Sequence, residues 1–169
     1  MSAFSVDPEN EKYLTNNDDL VDKENNTLLF VVYMKSGNYV IPNGVETVEQ
    51  NAFEGRKLLE HVSIPGSVTS LGDKPFAYCS SLTAIDVDPS NTFYASDNGI
   101  LFSHNNLTLI RFPPGKSRSD YTIPDDVSEL ADDAFEGCKY LVNITLSSNV
   151  GSVGTRPFRG CSSFTLYRC

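Results

Sequence analysis

The chain has 169 residues, 40% of them hydrophobic and 21% charged, which is enough apolar material for one domain with a sizeable core. Its formal net charge of −9 argues against nucleic acid or an anionic membrane surface as partner, because both need a basic patch. The longest apolar run, Leu28 to Tyr33, is far too short to span a bilayer.

The first ten residues are polar and acidic, with no basic start and no apolar stretch, so no signal peptide is visible. Leu20-Val21 and Thr27 to Tyr33 flank the polar turn Asp22 to Asn26 and read as a hairpin. Two regular units follow, headed by Ile41-Pro42 and Ile64-Pro65. Each reads I-P-x-x-V-x-x-(hydrophobic)-x-x-x-x-F, with a short second strand expected at Val45 to Val48 and at Val68 to Leu71. Leu59-x-x-Val62-x-Ile64 and Leu82-x-x-Ile85-x-Val87 carry the L-x-x-L-x-L signature of a strand with alternate residues inside.

A second hairpin is expected from Ile100-Leu101-Phe102 and Leu107 to Phe112 around Ser103 to Asn106, ended by Pro113-Pro114-Gly115. Two more regular units start at Ile123 and Leu146. Their first strands are Leu141-x-x-Ile144-x-Leu146 and the opening of another at Phe164-x-x-Tyr167; their short strands are Val127 to Leu130 and Val150 to Val153.

These elements are copies of each other. Ile64 to Val87 matches Leu146 to Cys169 at an offset of 82, including Val68/Val150, Pro75-Phe76/Pro157-Phe158 and Cys79-Ser80-Ser81/Cys161-Ser162-Ser163. A period of 23 separates Phe53 from Phe76 and Phe135 from Phe158. The N-terminal insert and the one after Asp86 match at an offset of 81, through Val6-Asp7-Pro8/Val87-Asp88-Pro89, Asn10/Asn91, Tyr13/Tyr94 and Leu20/Leu101. The reading is a single domain over residues 1–169, built of two blocks, 4–85 and 86–169. Single coils cannot bury their apolar faces alone, so a stacked solenoid follows, with Phe53, Phe76, Phe135 and Phe158 forming an inner ladder.

The unit Ile64 to Ile85, IPGSVTSLGDKPFAYCSSLTAI, resembles the BspA-like class of leucine-rich repeats, whose pattern is close to I-P-x-S-V-T-S-I-G-x-x-A-F-x-G-C-S-S-L-x-x-I. The insert VDPSNTFYASDNGILF is similar to that family's irregular unit. Arg56 stands where the pattern has Cys, and Ser147 where it has Pro. The resemblance implies a leucine-rich-repeat solenoid, mainly β with short 3-10 corners. It also implies a surface or secreted protein of a host-associated bacterium or an anaerobic protist such as a trichomonad. Its role would be adhesion to host matrix proteins or cells, and hence virulence. It implies a protein partner and no catalysis.

Searching for chemistry gives little. No G-x-S-x-G, Walker or H-E-x-x-H motif occurs, so no enzyme is expected and no cofactor. The paired serines at Ser80-Ser81 and Ser162-Ser163 read as corner residues satisfying backbone groups, and His61 as a surface histidine. Cys79, Cys138, Cys161 and Cys169 lack zinc spacing. Cys138 and Cys161 occupy equivalent places in stacked coils, within reach of a disulfide, but a buried small apolar site favours free thiols. Asp97-Asn98-Gly99 and Asp86-x-Asp88 hint at calcium; the Asn-Gly step reads more simply as a turn, and no metal is expected. Asp125, Asp126, Glu129, Asp132, Asp133 and Glu136 read as a solvated convex face. Sequons occur at Asn25, Asn106 and Asn143; Asn25 and Asn106, at matching hairpin turns, would accept glycan if the chain is exported.

The face lined by the first strands is broad and repetitive, and a partner is expected there. Its predicted outward residues are His61, Ser63, Ala84, Asp86, Leu109, Arg111, Asn143, Thr145, Leu166 and Arg168, with Phe30 and Val32 as N-terminal counterparts. Reversing Arg111 together with Leu109→Asp is expected to abolish binding without unfolding. The alternative is a self-assembling or intracellular scaffold, because the sequence stops inside a strand signature with Phe164 and Tyr167 in an uncapped coil, a route to a homo-oligomer. That ending suits a piece cut from a longer array better than a native end.

Overall fold

Residues 5–163 are described by the structure, a computed structural model. Fifteen short strands and no helix occur among them. The chain opens with a three-stranded meander, β1 (Tyr13–Asn16), β2 (Asp19–Asp22) and β3 (Thr27–Phe30). Two coils follow: β4 (Gly37–Val40), β5 (Thr47–Val48), β6 (Leu59–Ile64), β7 (Ser70–Leu71) and β8 (Ala84–Val87). A second meander comprises β9 (Tyr94–Asp97), β10 (Ile100–Ser103) and β11 (Thr108–Arg111). The last coils hold β12 (Asp120–Thr122), β13 (Glu129–Leu130), β14 (Asn143–Thr145) and β15 (Ser152–Val153).

The strands sort onto two faces. On the first-strand face β4, β6 and β8 pair in parallel, as do β12 and β14. On the opposite face β3, β5 and β7 form one parallel run, and β11, β13 and β15 another. The meanders add their antiparallel strands to the start of each run. Both expected hairpins are present. Each also has a third strand, β1 or β9, which the sequence reading did not place. The added turns, Asn17-Asp18 and Asn98-Gly99, have positive φ at both residues (48° and 68°, 50° and 73°), the geometry that matches the twist of a two-residue hairpin. Lys35 and Lys116 donate to the carbonyls of Asn17 and Asn98, so both turns are held from outside by equivalent side chains.

Every coil turns in the same way. After the first strand, the amide of Val45, Val68, Val127 or Val150 returns to the carbonyl three residues earlier, at 3.1 to 3.3 Å. In three of the four that residue is Pro, whose ring fixes φ and has no amide to leave unpaired. The far corner uses two left-handed residues per coil: Asn51 and Gly55, Lys74 and Tyr78, Asp133 and Gly137, Arg156 and Gly160. After the short strand the coils approach closely. A Cβ on Gly72 would lie 2.3 Å from the Gln50 amide nitrogen, and one on Gly154 2.6 Å from that of Asp132.

Inside, the aromatic ladder forms in two runs. Phe53 and Phe76 lie 5.2 Å apart; Phe112, Phe135 and Phe158 follow at 5.4 Å per step, close to the strand spacing that coil stacking imposes. Phe112 is a rung that the 23-residue period did not include, because it sits in the irregular insert. Tyr39 and Tyr121 pack edge-on against Phe53 and Phe112, at 5.3 and 5.0 Å. A thiol ladder runs beside the rings: Cys79, Cys138 and Cys161 are free, and their Sγ atoms donate to the carbonyls of Phe53, Phe112 and Phe135 in the preceding coil, at 3.0, 3.6 and 3.1 Å. Cys169 lies outside the described residues.

Candidate partner-binding face

The first-strand face presents two outward rows. Asn38, His61 and Ala84 are in register across β4, β6 and β8, and so are Val40, Ser63 and Asp86. Tyr39, Val62 and Ile85 alternate between them and are buried, as the pleat requires. Beyond the second meander the rows continue as Asp120 with Asn143 and Thr122 with Thr145. His61, Ser63, Ala84, Asp86, Asn143 and Thr145 therefore stand on the face expected of them. Leu166 and Arg168 lie outside the described residues.

Polar groups on this face are tied to each other across strands. His61 Nε2 and Asp86 Oδ2 are 2.7 Å apart. The Asp120 carboxylate accepts from the Ser119 hydroxyl and from Asn143 Nδ2, both at 2.6 Å, and these bonds, Ser119's first, hold its carboxyl below the usual range. Val40 is the exception, an apolar side chain 63% exposed on the outer strand of the face, β4. It borders a shallow groove of about 260 Å³ with Ser63, Pro65, Asp86 and Asp88. Four face residues, Asn38, Val40, Asp120 and Thr122, were not anticipated. The signal for them was present: Asn38-Tyr39-Val40-Ile41-Pro42 and Asp120-Tyr121-Thr122-Ile123-Pro124 share the strand-then-I-P order of His61 to Pro65. They lack the leading Leu that marks the other first strands.

Four of the expected residues are not on this face. β3 and β11 belong to the opposite face, where they pair with the short strands β5 and β13. Alternation correctly made them strands, but it carries no information on which of two sheets a strand joins. Leu109 is 0% exposed and Arg111 only 5%. Val32 is buried, its amide donating to Asp19 Oδ1 at 2.8 Å. Phe30 is half-buried, with the Arg56 guanidinium carbon 4.2 Å from its ring centre and 4.3 Å from that of Tyr33. Arg111 donates to the carbonyls of Asp133, Glu136 and Phe76, at 2.7, 3.0 and 3.4 Å. Substituting Leu109 and Arg111 would thus report on folding and not on a surface.

The acidic stretch also differs from its expectation. Asp125, Asp126, Glu129 and Asp132 are exposed, but Asp133 and Glu136 are buried. Asp133 takes the same corner position as Lys74 and Arg156 in the adjoining coils and pairs with both. Glu136 lies 3.9 Å from Arg111 on one side and from Arg159 on the other. Alternating charge along a stacked corner compensates what would otherwise be two buried, isolated carboxylates. No group of three or more His, Cys, Asp or Glu side chains suited to a metal occurs among the described residues. Asp97-Asn98-Gly99 forms the β9–β10 turn, with Asn98 Nδ2 donating to Asp97 at 3.0 Å.

Parallel ladders on two faces, I-P turns and an inner ring ladder define a leucine-rich-repeat solenoid, a fold of protein-interaction modules. The chain belongs to the BspA-type leucine-rich repeat family, whose model matches residues 30–117 and 114–168 in six copies. It is similar to a leucine-rich repeat protein from Eubacterium ventriosum, at 27% identity over 73% of this chain and 33% of that one, with a TM-score of 0.71. It is also similar to the pneumococcal vaccine antigen PcpA, at 32% identity over 69% and 29% of the two chains and a TM-score of 0.65. A leucine rich cell surface protein from Faecalibacterium prausnitzii matches at 25% identity over 76% and 40%, with a TM-score of 0.65. The chain thus spans 29% to 40% of the length of these structures. No curated protein sequence matches it significantly. No helix among the described residues is long and apolar enough to cross a membrane.

Proposed function

We propose that this chain is a non-enzymatic protein-binding module that works at the cell surface as an adhesin for host matrix proteins or cells. The observation that carries the reading is the first-strand face, where Val40 stands exposed among Asn38, His61, Ser63 and Asp86 on rigid, hydrogen-bonded strands. An exposed apolar group bordered by polar ones on a fixed sheet is the usual composition of a contact site. The placement at the surface rests on two of the similar proteins, one a leucine rich cell surface protein and one a vaccine antigen. Asp86 and Asp88 beside the groove favour a partner segment with basic side chains next to an apolar one.

The test is saturable binding of the chain to immobilised matrix proteins and to host cells, beside the double variant Val40→Asp/Asp86→Lys. Both side chains are exposed, so the variant should melt within about 0.5 kcal/mol of the parent. Loss of binding with folding intact supports the assignment. Binding that survives both changes places the site elsewhere, and no binding by the parent to any matrix protein or cell removes the adhesion reading.

A further inference from the structure

The seam between the two blocks opens a slot that the regular coils do not have. In a regular coil four residues separate the inward residue of the short strand from the inner ring, as between Val48 and Phe53, Leu71 and Phe76, and Leu130 and Phe135. Leu109 is in register with Leu130, yet two residues, Ile110 and Arg111, separate it from the stacked Phe112. The second insert therefore turns the far corner two residues short. Full corners stack without room between them: a Cβ on Gly72 or Gly154 would press against the Gln50 or Asp132 amide. Across the seam the missing residues leave a groove of about 370 Å³, between the corner at Gly72 to Pro75 and the corner at Ala131 to Asp133. Coils precede one wall and follow the other, so the groove owes nothing to either end of the sequence. None of its lining residues lies on a first strand.

The groove combines two chemistries. Leu71, Tyr94 and Ile110, all half-buried, form an apolar floor. Asp73, Glu129 and Asp132 stand exposed around it. The cations already present are engaged elsewhere. Lys74 pairs with the buried Asp133 across the groove, and Arg111 donates to the carbonyls of Phe76, Asp133 and Glu136. Among the described residues no cation lies within ion-pair distance of the three exposed carboxylates. Glu129 accepts from the Thr108 hydroxyl at 3.1 Å and Asp132 from the Thr155 amide at 2.5 Å, which leaves one oxygen of each open.

Carboxylates alone would be satisfied by water, and these three do not converge as a metal site requires. The apolar floor beside them is what selects an occupant. A lysine or arginine side chain has the matching form, a long apolar stem with a charged head. We propose that this groove takes a basic side chain of a protein partner, its stem on Leu71, Tyr94 and Ile110 and its head among Asp73, Glu129 and Asp132. Charge-assisted hydrogen bonds to the open carboxylate oxygens hold the head, and the chain's net charge of −9 draws a basic partner toward it. The site is separate from the contact proposed on the first-strand face and does not rest on it.

An amide-resolved NMR titration tests this, with a blocked glycine-leucine-lysine-leucine-glycine peptide as probe and its glutamate counterpart as control. The lysine peptide is expected to shift the Leu71, Ile110 and Asp132 amides saturably, and less so as salt is added. Asp73→Asn/Glu129→Gln/Asp132→Asn, which keeps the shape of each side chain, should weaken binding roughly tenfold. Val40→Asp/Asp86→Lys should leave these shifts in place. Should the triple variant fail to fold, Asp73→Lys alone changes one exposed carboxylate and should weaken binding as well. No shift of those amides at millimolar peptide, an equal response to the glutamate peptide, or full binding by the folded charge variants would overturn the proposal. Free spermidine binding as tightly as the peptide would sink it too, by making the occupant a polyamine and not a protein. Shifts confined to Val40, Ser63 and Asp86 would favour the first-strand face and rule out the groove.

Discussion

The two buried arginines show how one structural need is met from different places in the sequence. In the second block Arg111, on β11, donates to the corner carbonyl of Glu136, and Cys138 fills the small corner site. In the first block Phe30 takes the place of Arg111 and Arg56 that of Cys138, and Arg56 donates to the carbonyl of Glu54, the counterpart of Glu136, and to that of Val31. Arg56 is thus a transposed guanidinium and not a defect in the repeat. Arg56→Ala should cost about 3 kcal/mol, since buried carbonyls lose their donor and the rings of Phe30 and Tyr33 lose their filling. Phe30→Arg/Arg56→Cys, which recreates the second block's arrangement, should be destabilised by at least about 1 kcal/mol less than the sum of its single variants; a double-mutant cycle from urea melts measures this, and simple additivity would refute the exchange. Tyr78 makes a related case. It holds φ at 57° where the other coils have glycine, and its ring is 46% exposed. Tyr78→Gly should raise stability by about 1 kcal/mol, the strain a side chain carries in the left-handed region. The thiols differ in reactivity by position: burial pushes Cys79 up to about 11, whereas the hydrogen bond from Cys138 draws the half-exposed Cys161 down. Alkylation followed by mass spectrometry at mildly alkaline pH should label Cys161 well before Cys79. Because Cys79 keeps its proton longer when folded than unfolded, its contribution to stability is complete below pH 9 and is lost as pH rises toward 11.

At the scale of elements, the regular coils are stiff because ring, thiol and glycine each repeat in register. Phe76 is fully buried, stacks on Phe53 and has its carbonyl held by Arg111. Phe76→Ala should cost roughly 3–5 kcal/mol, read as a shift in denaturation midpoint at unchanged slope. A loss under about 1 kcal/mol would mean that neighbouring rungs close the gap. What the sequence made legible follows the same division. β6, β8 and β14 and all four short strands were visible because the 23-residue period places an apolar residue at every inward position. β4 and β12 escaped because Gly37 and Arg118 stand where the neighbouring first strands have Leu59 and Leu141. β1 and β9 escaped because their residues are mostly half-buried on both sides, and no alternation survives in Tyr13-Leu14-Thr15-Asn16. β3 and β11 join the short-strand sheets through parallel pairing with β5 and β13, which no pattern in their own residues marks. The candidate site was legible only where it lies in regular coils, and its exposed apolar residue, Val40, was not. Asp133 and Glu136 looked solvated because their partners, Lys74, Arg111, Arg156 and Arg159, come from other coils.

For the molecule as a whole, the open question is where cooperativity breaks. In a solenoid each coil touches only its neighbours, so stability is a sum of coil and junction contributions and the weakest junction sets the unit of unfolding. Here the buried apolar residues fall into two clusters, one from Val21 to Leu101 and one from Ile100 to Leu141. Between them the ring ladder is interrupted, and a groove of about 370 Å³ lies against Leu71, Phe76, Tyr94 and Arg111. We propose that the blocks 4–85 and 86–169 are the cooperative units and that they are coupled by Leu101, Tyr94 and Ile110, which pack against the first cluster, and by the polar contacts of Asn91 and Arg111. Asn91→Ala removes both donations to the Pro65 and Val68 carbonyls, and leaves the amides of Phe93 and Tyr94 without their acceptor. It should weaken the junction more than either cluster. Urea unfolding followed by backbone dichroism, and by hydrogen exchange resolved for each block, should then change from one transition to two, with the apparent slope reduced. A single transition at unchanged slope would show that the junction is as strong as the coils on either side and that the whole chain unfolds as one unit.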